Sequence, residues 1–128
     1  MSNLTQFQKS ILNNGGASYN LNNGEVNPSE GFMVSIAGHE QTFAENWQDN
    51  LQQTIATYIK EKAAIVGNKA NNQPYFIGAW VDGGKLYLDV SVKVSTKKVA
   101  ERIAKENNQL AYYDNKKEIS IYLPTSKK

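Results

Sequence analysis

A chain of 128 residues with 40% apolar and 20% charged residues and a net charge of +2 can bury a core as one domain, and its composition is not that of a disordered polymer. It has no cysteine and a single histidine, His39, which excludes disulfide scaffolds, zinc–thiolate sites, cysteine nucleophiles and two-histidine relays. No apolar run approaches the roughly 18 residues of a membrane span, and "MSNLTQFQKS" lacks the basic and apolar regions of a signal peptide. The expectation is therefore a cytoplasmic protein with no membrane contact.

In chain order, "NLTQFQKSILNNGG" predicts a first helix, with Leu4, Phe7 and Ile11 on one stripe and Gly15-Gly16 as its stop. A strand is expected at Tyr19 to Leu21, followed by a turn-rich segment through Pro28. Phe32 to Ile36 alternates as a strand with Phe32, Val34 and Ile36 on one face, and Gly38 marks a turn or bulge. Thr42 with Glu45 three residues later has the form of a capping box. It predicts a helix starting there, with Ala44, Trp47, Leu51, Ile55, Tyr58 and Ile59 on its apolar stripe. That helix is expected to end near Gly67, with "NKANNQP" as an exposed loop.

"YFIGAWVDGGKLYLDVSVKV", residues 75–94, reads as one hairpin turning at Gly83-Gly84. That register pairs Val81 with Leu86, Ala79 with Leu88 and Ile77 with Val90 on an aliphatic core face. A slip of one residue would bury Lys85, Asp89 and Ser91 instead. The other face carries Asp82 with Lys85, Trp80 with Tyr87, Gly78 with Asp89, and Phe76 with Ser91. Ser95 or Thr96 caps a third helix whose narrow apolar stripe is Val99, Ala100, Ile103 and Ala104. A last hairpin is expected to pair Leu110 and Tyr112 with Ile121 and Ile119 around Asn115-Lys116, ahead of a frayed tail at about 124–128. Two hairpins flanking a helix imply a single α+β domain over residues 1–128: a mainly antiparallel sheet with about three helices on one face.

Charge is unevenly distributed along the chain. Residues 1–90 hold 5 Lys and 8 acids, a balance of −3, whereas residues 91–128 hold 8 Lys, Arg102 and 4 acids, a balance of +5. Lys93, Lys97, Lys98, Arg102 and Lys105 are therefore candidate contacts to phosphate or to an acidic protein, against the plainer reading of a solvated helix face.

Chemistry-bearing motifs are sparse. His39 beside Glu40 is the one acid–base candidate, with no nucleophile placed to complete a site. Asp82 and Asp114 read as turn residues, whereas Asp89 interrupts a strand and is either a partner contact or a local hydrogen-bond acceptor. Gly83-Gly84 lacks the spacing and lysine of a phosphate loop, and no cofactor is expected. Trp80, Tyr87, Lys85 and Asp89 have the composition of an interface. The favoured expectation is that the N-terminal helix and strand cover them, giving a sheet packed on both faces.

"GGASYNLNNGE…P…GFMVSIAGHEQTF" and "YFIGAWVDGGKLYLDVSVKV…NNQLAYYD" resemble a family of small proteins from phages, plasmids and integrated elements, chiefly of Gram-positive bacteria. A "GxWVDxGKxYLDVS" core followed by a helix and "NQxAxxD" recurs in that family. The resemblance spans about residues 15–44 and 75–114, and the asparagine-rich loops and lysine-heavy tail depart from its more acidic members. It implies a non-enzymatic interaction protein of a mobile element, inhibiting a host defence complex (a CRISPR nuclease or a restriction system). Its partner would be a host protein or ribonucleoprotein such as a Cas nuclease. The alternative is an accessory protein that binds nucleic acid through the basic third helix. A homodimer through an unpaired edge strand and a small hydrolase built on His39 complete the set.

Overall fold

The computed structural model describes residues 3–21, 23–44, 46–66 and 75–123. The expected loop "NKANNQP", the helix stop at Gly67, the Glu45 half of the capping box and the tail at 124–128 lie outside the described residues.

Helix α1 (Asn3–Asn14) buries Phe7 and Ile11 and ends at Gly15, whose N–H donates to the Ile11 carbonyl at 3.0 Å. Strand β1 (Gly16–Asn20) follows at once, starting three residues before the expected Tyr19. Strands β2 (Phe32–Ser35) and β3 (Gln41–Phe43) come next, and α2 (Leu51–Val66) is entered through a 3-10 turn at Trp47–Asn50. The long hairpin is β4 (Tyr75–Asp82) and β5 (Lys85–Val94). Helix α3 (Lys97–Glu106) and the short hairpin of β6 (Ala111–Asp114) and β7 (Ile119–Tyr122) complete the described chain.

The described strands form one antiparallel sheet in the order β1-β4-β5-β2-β6-β7, with β3 pairing β5 beyond the end of β2. The β4–β5 register is the one the hairpin pattern predicts, pair for pair from Ile77↔Val90 to Asp82↔Lys85. Gly83 and Gly84 have φ of 60° and 79°, the left-handed pair that a two-residue turn needs to match strand twist.

All three helices pack on the aliphatic face. Phe7 and Ile11 of α1 and Leu51, Ile55 and Tyr58 of α2 join Ile77, Ala79, Leu86, Leu88 and Val90 in one core cluster. Ala100 and Ala104 of α3 join Val34, Val92, Val94 and Tyr112 in a second. The α+β reading with helices on one face holds. The expected cover over Trp80 does not: α1 lies on the opposite face, and β1 extends the sheet beside β4 rather than crossing it.

Two further expectations are corrected. Thr42 does not cap α2; it lies in β3 opposite Tyr87, and Phe43 beside it packs against the core. A cap is worth about 1 kcal/mol, and three residues of sheet pairing plus the burial of a phenylalanine outweigh it. The helical segment starts instead after Asn46, which holds a left-handed φ of 68°, and Ala44 stays exposed outside it. The last hairpin is shifted by two residues, pairing Tyr112 with Ile121 and Asp114 with Ile119. Its turn is four residues long because Asp114 Oδ1 accepts the N–H groups of Lys116 and Lys117 at 3.0 and 3.1 Å. A shift of two keeps every side chain on its expected face.

Leu88→Ala should lower stability by about 2–5 kcal/mol, since Leu88 is fully buried, whereas Leu12→Ala at an exposed site should stay within about 0.5 kcal/mol. Urea denaturation of both variants checks the placement of the core, and equal losses would contradict it.

Candidate functional site

The second face of the sheet carries no described helix. Strand alternation places Gly16, Ser18 and Asn20 of β1 there, with Phe76, Gly78 and Trp80 of β4. Tyr87, Asp89 and Ser91 of β5 and Ser35 of β2 continue it. At the hairpin-turn end, Trp80 and Tyr87 stack with ring centroids 5.2 Å apart and planes 4° from parallel. Trp80 remains 37% exposed and Tyr87 is half-buried, so the pair stiffens the hairpin and still presents aromatic surface. Lys85 stands exposed beyond it.

One row deeper the face turns polar and closed. Asp89 is 4% exposed, and its carboxylate accepts the Ser35 hydroxyl at 2.7 Å and the Ser91 hydroxyl at 3.3 Å. The space it fills is the one a side chain at 78 would need, because a Cβ built on Gly78 would stand well inside van der Waals contact distance of Asp89 Oδ1. That answers why glycine stands opposite the aspartate: the cross-strand pair has room for one side chain. Burial pushes the Asp89 carboxyl up to about 6, with Glu40 adding to the rise, while Ser35, Ser91 and the Gly78 backbone pull the other way.

Asp89 sits where the neighbouring strand leaves the ladder. Ser35 pairs with Ser91 and Gln41 with Leu88, so residues 36–40 lie opposite only Asp89 and Val90. Three anchors hold that bulge. The Ile36 N–H donates to the Val90 carbonyl at 2.8 Å, the Tyr58 hydroxyl of α2 donates to the His39 carbonyl, and the Ala37 N–H donates to Asn107 Oδ1 at the end of α3 at 3.0 Å. Burial, with Asp89 and Glu40 nearby, pushes the Tyr58 hydroxyl far up, so it stays a proton donor across the working pH range.

The candidate residues fall into separate places. Trp80, Tyr87 and Lys85 form one exposed patch, and Asp89 supports it from inside rather than meeting solvent. Lys97, Lys98, Arg102 and Lys105 are exposed on α3, which packs on the other face of the sheet and at its other end. Lys93 is half-buried on β5. Asp82 lies in the β4–β5 turn region and Asp114 in the β6–β7 turn, so the carboxylates do not converge with His39. Among the described residues no group of three His, Asp or Glu side chains could hold a metal ion. An open cleft of about 520 Å³ lies between α1 and the start of α2, lined by Gln8, Leu12, Gln48, Asp49, Gln52 and Ala56, away from every candidate. No described helix is long and apolar enough to cross a membrane.

Sequence reasoning missed Ser35, Ser91, Tyr58 and Asn107 as parts of this centre. The available signal was parity, since Ser91 and Ser35 share the face of Asp89 once the register is drawn. No family model matches the chain, and neither a curated protein nor a solved structure matches it.

Gly78→Ala should cost about 1–3 kcal/mol by driving a methyl into the Asp89 carboxylate, and the same change in an Asp89→Ala background should cost much less. Thermal or urea unfolding of the four proteins measures that coupling, and additive losses would contradict the steric account. The aspartate also makes stability depend on pH. Its folded pKa of about 6 lies above the ordinary value of 3.8, so the folded state holds the proton more tightly, and that contribution is lost as pH rises through about 6. Asp89→Asn should therefore gain on the natural protein by up to about 3 kcal/mol between pH 4 and pH 7.5. Parallel stability curves would contradict the burial of an ionisable carboxyl there.

Proposed function

We propose that the protein is a non-catalytic binding protein that acts by occupying its target, a host defence complex of the CRISPR-nuclease or restriction type. The observation that carries the binding reading is the Trp80–Tyr87 stack, which is part-exposed on a sheet face that no described helix covers. A rigid aromatic anchor on a strand pair loses little side-chain freedom when a partner covers it, and tryptophan and tyrosine dominate the energetics of protein interfaces. The resemblance to mobile-element proteins directs the choice of target. Such a protein needs a stiff scaffold and a presented surface, both of which the fold supports, and no reacting groups.

A second reading rests on α3. Lys98, Arg102 and Lys105 repeat at helical spacing on its exposed side, and among the described residues the stripe's one ion pair joins Arg102 to Glu106 at 3.9 Å, a solvent-exposed pair of little strength. A phosphate backbone would suit that stripe. Because it lies on the other side of the sheet from Trp80, the two readings separate by mutation.

Capture of defence complexes by the tagged protein, at low and at high salt, with and without nuclease treatment and with identification by mass spectrometry, is the test. Recovery of a CRISPR or restriction complex should fall at least about tenfold for Trp80→Ala and stay unchanged for Lys98→Glu with Arg102→Glu. If only nucleic acid is recovered, if salt releases it, and if the α3 variants abolish it, the inhibitor reading fails in favour of the nucleic-acid one.

A further inference from the structure

The last hairpin ends the sheet with apolar side chains in water. Among the described residues β7 is the terminal strand, bonded to β6 on one side only. Of the large apolar residues that remain exposed, four cluster at this hairpin: Leu110 at 76%, Tyr122 at 73%, Ile119 at 49% and Tyr113 at 38%. Tyr113 and Tyr122 share a face and stand diagonal to each other across the β6–β7 ladder. A short edge strand is ordinarily blunted by charge, proline or a bulge, and Ile119 to Tyr122 has none of these.

Hydrogen-bond phase shows which groups are on offer. The Leu123 N–H donates to the Leu110 carbonyl at 2.8 Å, so Leu110 and Leu123 form a bonded pair, as do the alternate pairs Tyr112 with Ile121 and Asp114 with Ile119. The main-chain N–H and C=O groups of Ser120 and Tyr122 therefore point away from β6.

Charge gives the edge a sign. Lys116 and Lys117 are exposed in the turn at one end of β7. Ile121 and Leu123 pack under α3, which brings exposed Lys98, Arg102 and Lys105 to the same end of the molecule.

We infer that the open edge of β7 takes up an extended segment of a partner protein as an added strand, and that this segment alternates apolar residues with acidic ones. Main-chain bonds to Ser120 and Tyr122 hold it, Tyr113 and Tyr122 receive its apolar side chains on one face, and the lysines receive its carboxylates on the α3 side. This surface is distinct from the Trp80–Tyr87 face and stands or falls independently of it.

The probe is a displayed library of random twelve-residue peptides, selected on the full-length protein at moderate salt. Proline has no N–H, so Ser120→Pro deletes one outward donor at an edge position that spares the bonds to β6. Enriched peptides should alternate apolar and acidic residues and bind Ser120→Pro at least about tenfold more weakly, with Tyr122→Ala weakened as well. Circular dichroism and unfolding curves matching the natural protein establish that Ser120→Pro is folded. Failure to enrich any peptide, equal binding to folded Ser120→Pro, or a preference for basic peptides would each overturn the inference. So would self-association in sedimentation equilibrium that Ser120→Pro abolishes, since the edge would then serve a second copy of this chain.

Discussion

The interior of the open sheet face depends on one exchange of volume. Gly78 gives up a side chain, and the Asp89 carboxylate fills the space, held by two serine hydroxyls. A charged group there is costly, because burial disfavours its ionised form and none of the described groups that shift its pKa is a cation. Its presence shapes what surrounds it. β2 leaves the ladder beside it, the bulge at 36–40 forms, and α2 and α3 each send one polar group, Tyr58 and Asn107, to hold that bulge. Buried polarity is thus concentrated in one place where sheet, bulge and two helices meet.

The two faces of the sheet follow from this division. One is aliphatic and takes all three helices. The other grades from a stacked aromatic pair at the hairpin turn, through the buried Asp89 row, to Phe76 and Met33, which are buried on the same side. Stiffness at Trp80 is inherited from both directions: Tyr87 stacks on it, and the Trp47 indole N–H bonds the Gly84 carbonyl at 3.2 Å, tying the turn to the start of α2. The aromatic patch is therefore part of the scaffold and no pendant loop.

Legibility in the sequence tracked the range of the determinant. The β4–β5 register could be read because a two-residue glycine turn and strict alternation admit one solution. The α3 cap could be read too, since Thr96 Oγ1 accepts the Val99 N–H at 3.2 Å. Thr42 misled, because a local capping pattern competes with a strand pairing whose partner, Leu86–Leu88, lies more than forty residues away. Side-chain cover of Trp80 could not be read either, as the stripe of α1 states that it packs but not on which face. Asp89 stood out as anomalous opposite Gly78, yet its serine partners became visible only once β2 was known to lie beside β5.

Strand order has a consequence for how the chain comes off the ribosome. β1, β2 and β3 lie within the first 43 residues, but β1 pairs with β4, and β2 and β3 pair with β5. None of the three has its ladder partner until residues 75–94 have emerged, so the N-terminal two-thirds is made before it has a sheet to join. The β4–β5 hairpin is local in sequence, can close by itself, and offers a free edge to each waiting strand. Folding is thereby deferred to the completion of one hairpin, and the apolar strands synthesised earlier depend on its prompt arrival to stay out of aggregates.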